Sequence, residues 1–259
     1  MGLNEGLDNL VAKVTDPYDR QARLWPALLA LLPVIAMVGL FYGPNVSVLT
    51  NVGMLATSCG SLYLLTNICR TLGVRLEKRM FSAWGGVPTT QLLRHHNAII
   101  DGVTKQRYHA FLATKINVSF PDREQELLNP AAADDVYKSA VRWLLEQTRD
   151  SKKFGLLMRE LTSYGFHRNA QGAKPIGIVM AVTSVVCAVL KGGVITTSAI
   201  YWININAIKA LPMPVISSLA MSIVMLGIWV FYFTQDNTRK CAFTYAETLL
   251  RACDVLSRK

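Results

Sequence analysis

Leu24–Cys69 reads LWPALLALLPVIAMVGLFYGPNVSVLTNVGMLATSCGSLYLLTNIC, 46 residues without one Asp, Glu, Lys, Arg or His. A hydrocarbon core about 30 Å thick takes roughly 20 helical residues to cross. The run is too long for one crossing and long enough for two with a turn. Leu24–Tyr42 reads as a first span and Ser47–Cys69 as a second, with Gly43, Pro44 and Asn45 as turn residues between them. This stretch makes the chain an integral membrane protein.

A second apolar block, Pro175–Thr234, has room for two more spans, from about Pro175 to Ile195 and from about Pro214 to Phe233. Of the 27 Lys and Arg residues, only Lys191 and Lys209 fall inside either block. The rest crowd into residues 1–23, 70–174 and 235–259. By the positive-inside rule those three segments lie together on the cytoplasmic face of a cell inner membrane. The same rule accounts for the net charge of +10 and is preferred to a nucleic-acid surface, because the basic and acidic residues of 70–174 are interspersed. The expected fold is mainly α, with four transmembrane helices and a helical cytosolic domain between spans 2 and 3.

The parts are then 1–23, a cytosolic amphipathic helix; 24–69, a hairpin of two spans; 70–174, the cytosolic domain; 175–234, a second hairpin; and 235–259, a cytosolic helix. Residues 1–23 lack the basic start and small-residue cleavage site of a secretory signal. Leu3, Leu7, Leu10, Val11 and Val14 recur at helical spacing, on a helix that rests on either the bilayer or the soluble module. Within 70–174, Ala83–Pro88 breaks the helix that follows span 2. Thr89 or Thr90 is expected to cap a helix reaching Ile100, and Thr104 the next one. Ile116–Phe120 is a short strand or an extended link. Asn129–Pro130 opens the clearest soluble helix, and a further helix from Phe154 is expected to end near Gly165.

Small residues at four-residue spacing let helices approach closely in lipid. Gly53, Thr57 and Ser61 in span 2, with Gly60 alongside them, and Ser184, Ala188 and Gly192 in span 3, are therefore candidates for helix packing or homo-oligomer contacts. Lys191 is either a snorkelling residue or a pore or interface charge. Arg142, Arg149, Lys152, Lys153, Arg159 and Arg168 lie along two successive helices. They form a candidate basic face for a small anionic ligand or a cytosolic protein, or else a solvated surface. His95, His96, Asp101 and His109 are the one grouping that suggests acid–base or metal chemistry. No HExxH, GxSxG or P-loop pattern accompanies them, so a non-enzyme without a cofactor is expected. The five cysteines show no metal-ligand spacing and read as reduced packing residues.

Two stretches, Trp84–His96 (WGGVPTTQLLRHH) and Ala140–Arg168 (AVRWLLEQTRDSKKFGLLMRELTSYGFHR), together with the two-span, insert, two-span layout, carry a resemblance. The chain resembles four-span bacterial inner-membrane proteins of the kind that serve as effectors or sensors in anti-phage defence operons. The resemblance implies a homo-oligomeric sensor, effector or pore. It assigns no catalytic or ligand residue. Alternatives are a scaffold that recruits a soluble protein and a membrane-anchored His-dependent hydrolase.

Overall fold

The computed structural model describes residues 17–42, 48–195 and 205–258, with backbone alone for 48–59 and 205–206. The amphipathic segment expected before residue 17 and the turn residues Gly43, Pro44 and Asn45 lie outside the described residues, as does the side chain of Thr57. The described chain is helical throughout: α1 (Asp19–Tyr42), α2 (Val48–Ala83), α3 (Pro88–Leu93), α4 (Gly102–Ile116), α5 (Arg123–Leu128), α6 (Pro130–Gln147), α7 (Gly155–Lys191), α8 (Ile205–Lys209), α9 (Met213–Tyr232) and α10 (Gln235–Leu256). Among the described residues three helices, α1, α7 and α9, are long and apolar enough to cross a membrane.

The chain divides into two compact units, Met1–Leu76 with Gly165–Asn237 and Glu77–Tyr164 with Thr238–Lys259. The divisions near residues 76 and 164 fall inside α2 and α7 rather than in loops. In the first, apolar unit, α1 opens with a π-helical segment, Asp19–Leu24, in which the Trp25 N–H donates to the Arg20 carbonyl. Pro26 has no N–H to offer the Ala22 carbonyl four residues back. Asn169, fully buried on α7, supplies the missing donor, its Nδ2 lying 2.7 Å from that oxygen.

The same level of the bundle holds a close backbone approach between α2 and α7. A Cβ built at Gly172 of α7 would stand 2.4 Å from the Gly73 backbone nitrogen on α2. Gly165 lies against the Ala22 Cβ and the Tyr18 ring. This glycine therefore does not end the helix, as its sequence context suggests. It is the small residue that lets α7 pass α1, and α7 continues unbroken through Pro175 to Lys191. Gly177 likewise makes room for the indole of the buried Trp229.

Deeper in the bundle, the buried Ser184 hydroxyl donates to the Pro33 carbonyl at 3.1 Å and accepts from Ser222 at 2.9 Å. These bonds tie α1, α7 and α9 together where no water is available to satisfy them. Lys174 donates to the carbonyls of Val230 and Phe233 at 3.0 and 3.1 Å. A cation thus satisfies the unpaired carbonyls that close α9.

The second unit is a helical domain with its own core. Tyr137, Ala140 and Leu144 of α6 are fully buried with Leu92, Leu93 and Leu112. Leu249, Leu250 and Cys253 of α10 join the same core, so the C-terminal helix is part of this domain. The Tyr108 hydroxyl donates to Asp254 at 2.9 Å, and Tyr164 stacks on Tyr245 with ring centroids 6.2 Å apart. Burial raises the Cys253 thiol pKa to about 12, leaving it an apolar packing group. Ile116, expected to open a strand or extended link, instead closes α4, and residues 118–122 lead to α5 without regular structure. Asn129 caps α6, its side chain accepting from the Ala132 N–H at 3.1 Å.

Candidate functional site

The helix expected to run from Thr89 to Ile100 stops at Leu93. Arg94 takes an extended conformation, and residues 94–101 form a loop. Contacts distant in sequence hold the loop against the helix it would otherwise continue. Arg94 donates to both oxygens of Asp134 at 2.9 and 2.6 Å and to the Gly85 carbonyl at 2.9 Å. The buried Lys105 ammonium donates to the Arg94 carbonyl at 2.7 Å and to that of Asn97. The buried Glu126 carboxylate accepts from the His95 N–H at 3.0 Å and from the Tyr137 hydroxyl at 2.6 Å. The α4 cap is Asp101 rather than Thr104: its carboxylate accepts from the Thr104 N–H at 2.8 Å.

This clamped loop forms one wall of a cavity of about 560 Å³, lined by His95, His96, Asn97, Asp101, Lys105 and His109 together with Ala98, Ile100, Gly102 and Gln106. All four residues of the sequence grouping therefore meet in one cleft. Their chemical states differ. His109 is buried and donates from Nε2 to the Leu93 carbonyl at 2.8 Å. Burial lowers its pKa to about 4, so the ring is neutral at physiological pH and Nδ1 holds a lone pair. It packs edge-on to His95, at 5.1 Å between centroids, and stacks on Tyr137 at 5.6 Å.

His95 donates to the Pro121 carbonyl at 2.9 Å. His96 is two-thirds exposed, with Nδ1 3.2 Å from Glu126. Burial alone would raise the Glu126 pKa, but hydrogen bonds from Tyr137, the His95 backbone and His96 outweigh it and hold the carboxyl below its ordinary range. Burial also lowers the Lys105 pKa. Hydrogen bonding to the backbone and hydroxyl of Thr104 keeps the exposed Asp101 anionic. Among the described residues no group of His, Cys, Asp and Glu has the arrangement of a metal centre.

The basic residues are placed differently. Arg142, Arg149, Lys152, Lys153 and Arg159 are exposed in the helical unit, whereas Arg168 belongs to the apolar one. Arg149 pairs with Glu146 at 2.7 Å, and Lys153 lies 5.0 Å from the centre of the Phe154 ring. In the apolar unit, Lys191 sits 5.6 Å from the centre of the Tyr42 ring, at the matching ends of α7 and α1. A cation beside an aromatic ring at a helix end suits an interfacial anchor.

Ser184 and Ala188 are fully buried within the chain, and a Cβ at Gly192 would meet Leu211. This ladder is used inside one molecule. Gly60 is exposed with nothing within 4 Å of a built Cβ. On the expectation of a homo-oligomer drawn from the sequence, Gly60→Leu should lower the detergent-corrected mass while leaving each subunit folded. Ala188→Leu should reduce the melting temperature of the chain itself. Light scattering and a thermal melt on both variants separate the two roles.

Comparisons with family models, curated proteins and solved structures find no match to this chain, so the reading of the site rests on its geometry. Sequence reasoning missed Arg94, Lys105, Glu126, Asp134 and Tyr137. The only local cue was the Asp122–Gln125 capping box, which starts α5 and so positions Glu126.

Proposed function

We propose that the chain is a homo-oligomeric, four-crossing protein of the cell inner membrane. In this reading its helical unit lies on the cytoplasmic face and senses a small polar ligand, or a partner's segment, in the His95–His109 cleft. The observation that carries the reading is the pre-organised cleft itself. Two buried charges, Lys105 and Glu126, and the partly buried Arg94–Asp134 pair fix one loop, which leaves a fixed array of donors and acceptors. The output is a change in helix packing that opens a pore or perturbs the membrane. The resemblance to defence sensors and effectors is the ground for placing it in that setting.

Four crossings are supported by helix levels in the apolar unit. Ala22, Gly73 and Asn169 meet at one level, so α2 returns to the level from which α1 departs. At the other end Tyr42 meets Lys191. At 1.5 Å per residue those two levels are about 30 Å apart along α1 and about 33 Å along α7, a bilayer's thickness.

The test is a thermal shift of the purified full-length protein against a panel of nucleotides, amino acids and small carboxylates. A compound that stabilises the wild type, and no longer does so in His96→Ala or Gln106→Leu, supports the reading. A stabiliser that acts equally on both variants contradicts the cleft as its site.

A second reading, a hydrolase, has one observation in its favour. The Glu126–His96 pair places an oriented imidazole at the edge of the cleft, as a general base requires. None of the residues lining the cleft is Ser, Thr or Cys, so a hydroxyl or thiol nucleophile is not among them, and His96 would act as base on a water. Ester or phosphodiester turnover abolished by His96→Ala would favour it over sensing.

A further inference from the structure

We propose that one end of the apolar unit is a binding collar for anionic phospholipid headgroups. Ala22, Gly73 and Asn169 fix one level of the apolar unit. Arg20 lies two residues before Ala22 on α1, and Arg75 two residues beyond Gly73 on α2. Trp25 and Arg70 each lie three residues from that level on the opposite side, towards the apolar spans. At 1.5 Å per residue these make two layers, an outer one with Arg20 and Arg75 and one about 7 Å deeper with Trp25 and Arg70.

Arg20, Arg70 and Arg75 are exposed, and none has an ion-pair partner among the described residues. The other cations of this region are engaged. Arg23 pairs with Asp19 at 2.7 Å, Arg168 donates to Asn169 at 3.2 Å, and Lys174 caps α9. The exposed aromatics Trp25 (48%), Tyr232 (49%) and Phe231 (80%) belong to the same end. Tyr232 is tied to it by His167, two residues from Asn169, at 5.7 Å between ring centroids.

Guanidinium forks at phosphate depth with indole and phenol rings beside them form the interfacial pattern in which cations meet headgroup phosphates. Three unpaired arginines outnumber the acidic residues described in the apolar unit, Asp19, which is paired with Arg23, and the exposed Asp236, and so favour headgroups with net negative charge over zwitterionic ones. Each juxtamembrane cation contributes about a fivefold preference at low salt.

The test is native mass spectrometry of the full-length protein released from nanodiscs of equal phosphatidylglycerol and phosphatidylcholine. One headgroup meets one or two of these cations, so wild type is expected to retain the anionic lipid roughly five- to twenty-five-fold over the neutral one, with the preference falling as salt rises. The Arg20→Gln, Arg70→Gln, Arg75→Gln triple variant is expected to retain both lipids about equally, and the corresponding triple Lys variant to keep most of the preference. Arg142→Gln with Lys152→Gln, in the helical unit, should leave the preference unchanged. The proposal is overturned if wild type shows no preference, if the triple Gln variant keeps it, or if the helical-unit variant loses it to the same extent. A sensing cleft that fails its own test leaves these outcomes unaffected.

Discussion

Gly172→Ala is expected to lower the stability of the apolar unit by roughly 3 kcal/mol or more. The added carbon would lie 2.4 Å from the Gly73 nitrogen, 2.7 Å from the Gly73 Cα and 2.7 Å from the Leu72 carbonyl carbon. All three are backbone atoms of α2, so no side-chain rotation relieves the clash. The helices must separate by more than an ångström, which also removes the seat of the Asn169 side chain that serves the Ala22 carbonyl. Gly73→Ala should behave similarly, its Cβ meeting Asn169 Oδ1 at 2.4 Å. Gly39→Ala is the matched control. Nothing lies within 4 Å of its added carbon, and alanine favours a helix by up to about 1 kcal/mol. Thermal melts in detergent should show a large drop for Gly172→Ala and none for Gly39→Ala. Equal melting temperatures would mean that α2 and α7 do not meet at these glycines.

Acidification should destabilise the helical unit in two stages. His109 has a folded pKa of about 4 against an ordinary value of 6.5, so between those values the unfolded chain binds a proton that the folded chain refuses. Stability therefore falls as pH drops from 6.5 to 4, by about 3 kcal/mol at the lower limit. Glu126 acts below that. Its depressed folded pKa means that its contribution is present above about 4.5 and is lost as pH falls through the folded value. His109→Gln keeps an N–H donor for the Leu93 carbonyl and removes the titration. Denaturant midpoints measured at pH 7, 5.5 and 4.5 should slope steeply for wild type and lie nearly flat for the variant. A wild-type slope that survives in His109→Gln would place the acid sensitivity elsewhere.

Much of the architecture is legible in the chain because its cause is local. Forty-six uncharged residues cannot be solvated, and Asn129 followed by Pro130 caps a helix by its own chemistry. Gly165 was not legible as a packing residue. A glycine that ends a helix and one that admits a neighbouring helix look alike until the neighbour, here Ala22 and Tyr18, is in place. The loop at 94–101 was hidden for a related reason. Leu92, Leu93, Ile99 and Ile100 have helical spacing, and only Asp134, Lys105 and Glu126, the last two drawn in from other helices with it, hold the backbone open.

The candidate site divides in the same way. His95, His96, Asp101 and His109 are near in sequence and could be picked out as a group. What makes them a cleft, the Glu126 carboxylate and the Lys105 ammonium, resembles ordinary helix-surface charge in the sequence. The amphipathic face of α10 was equally plain, but its place in the core with Leu144 and Leu93 depends on a fold that brings residues 238–258 back to residues 77–164.

The central claim of the proposed function is that paired crossings keep the start of α1, the His95–His109 cleft and α10 on one side of the membrane. Single cysteines at Gln21, Ser151, Ser257 and Asn45, each in a cysteine-free background, test it with an impermeant thiol reagent on intact cells and on opened membranes. The account predicts that Gln21, Ser151 and Ser257 react only once the membrane is opened, and that Asn45 reacts from outside. Labelling of Gln21 and Ser151 from opposite sides would contradict it, because α2 would then not cross.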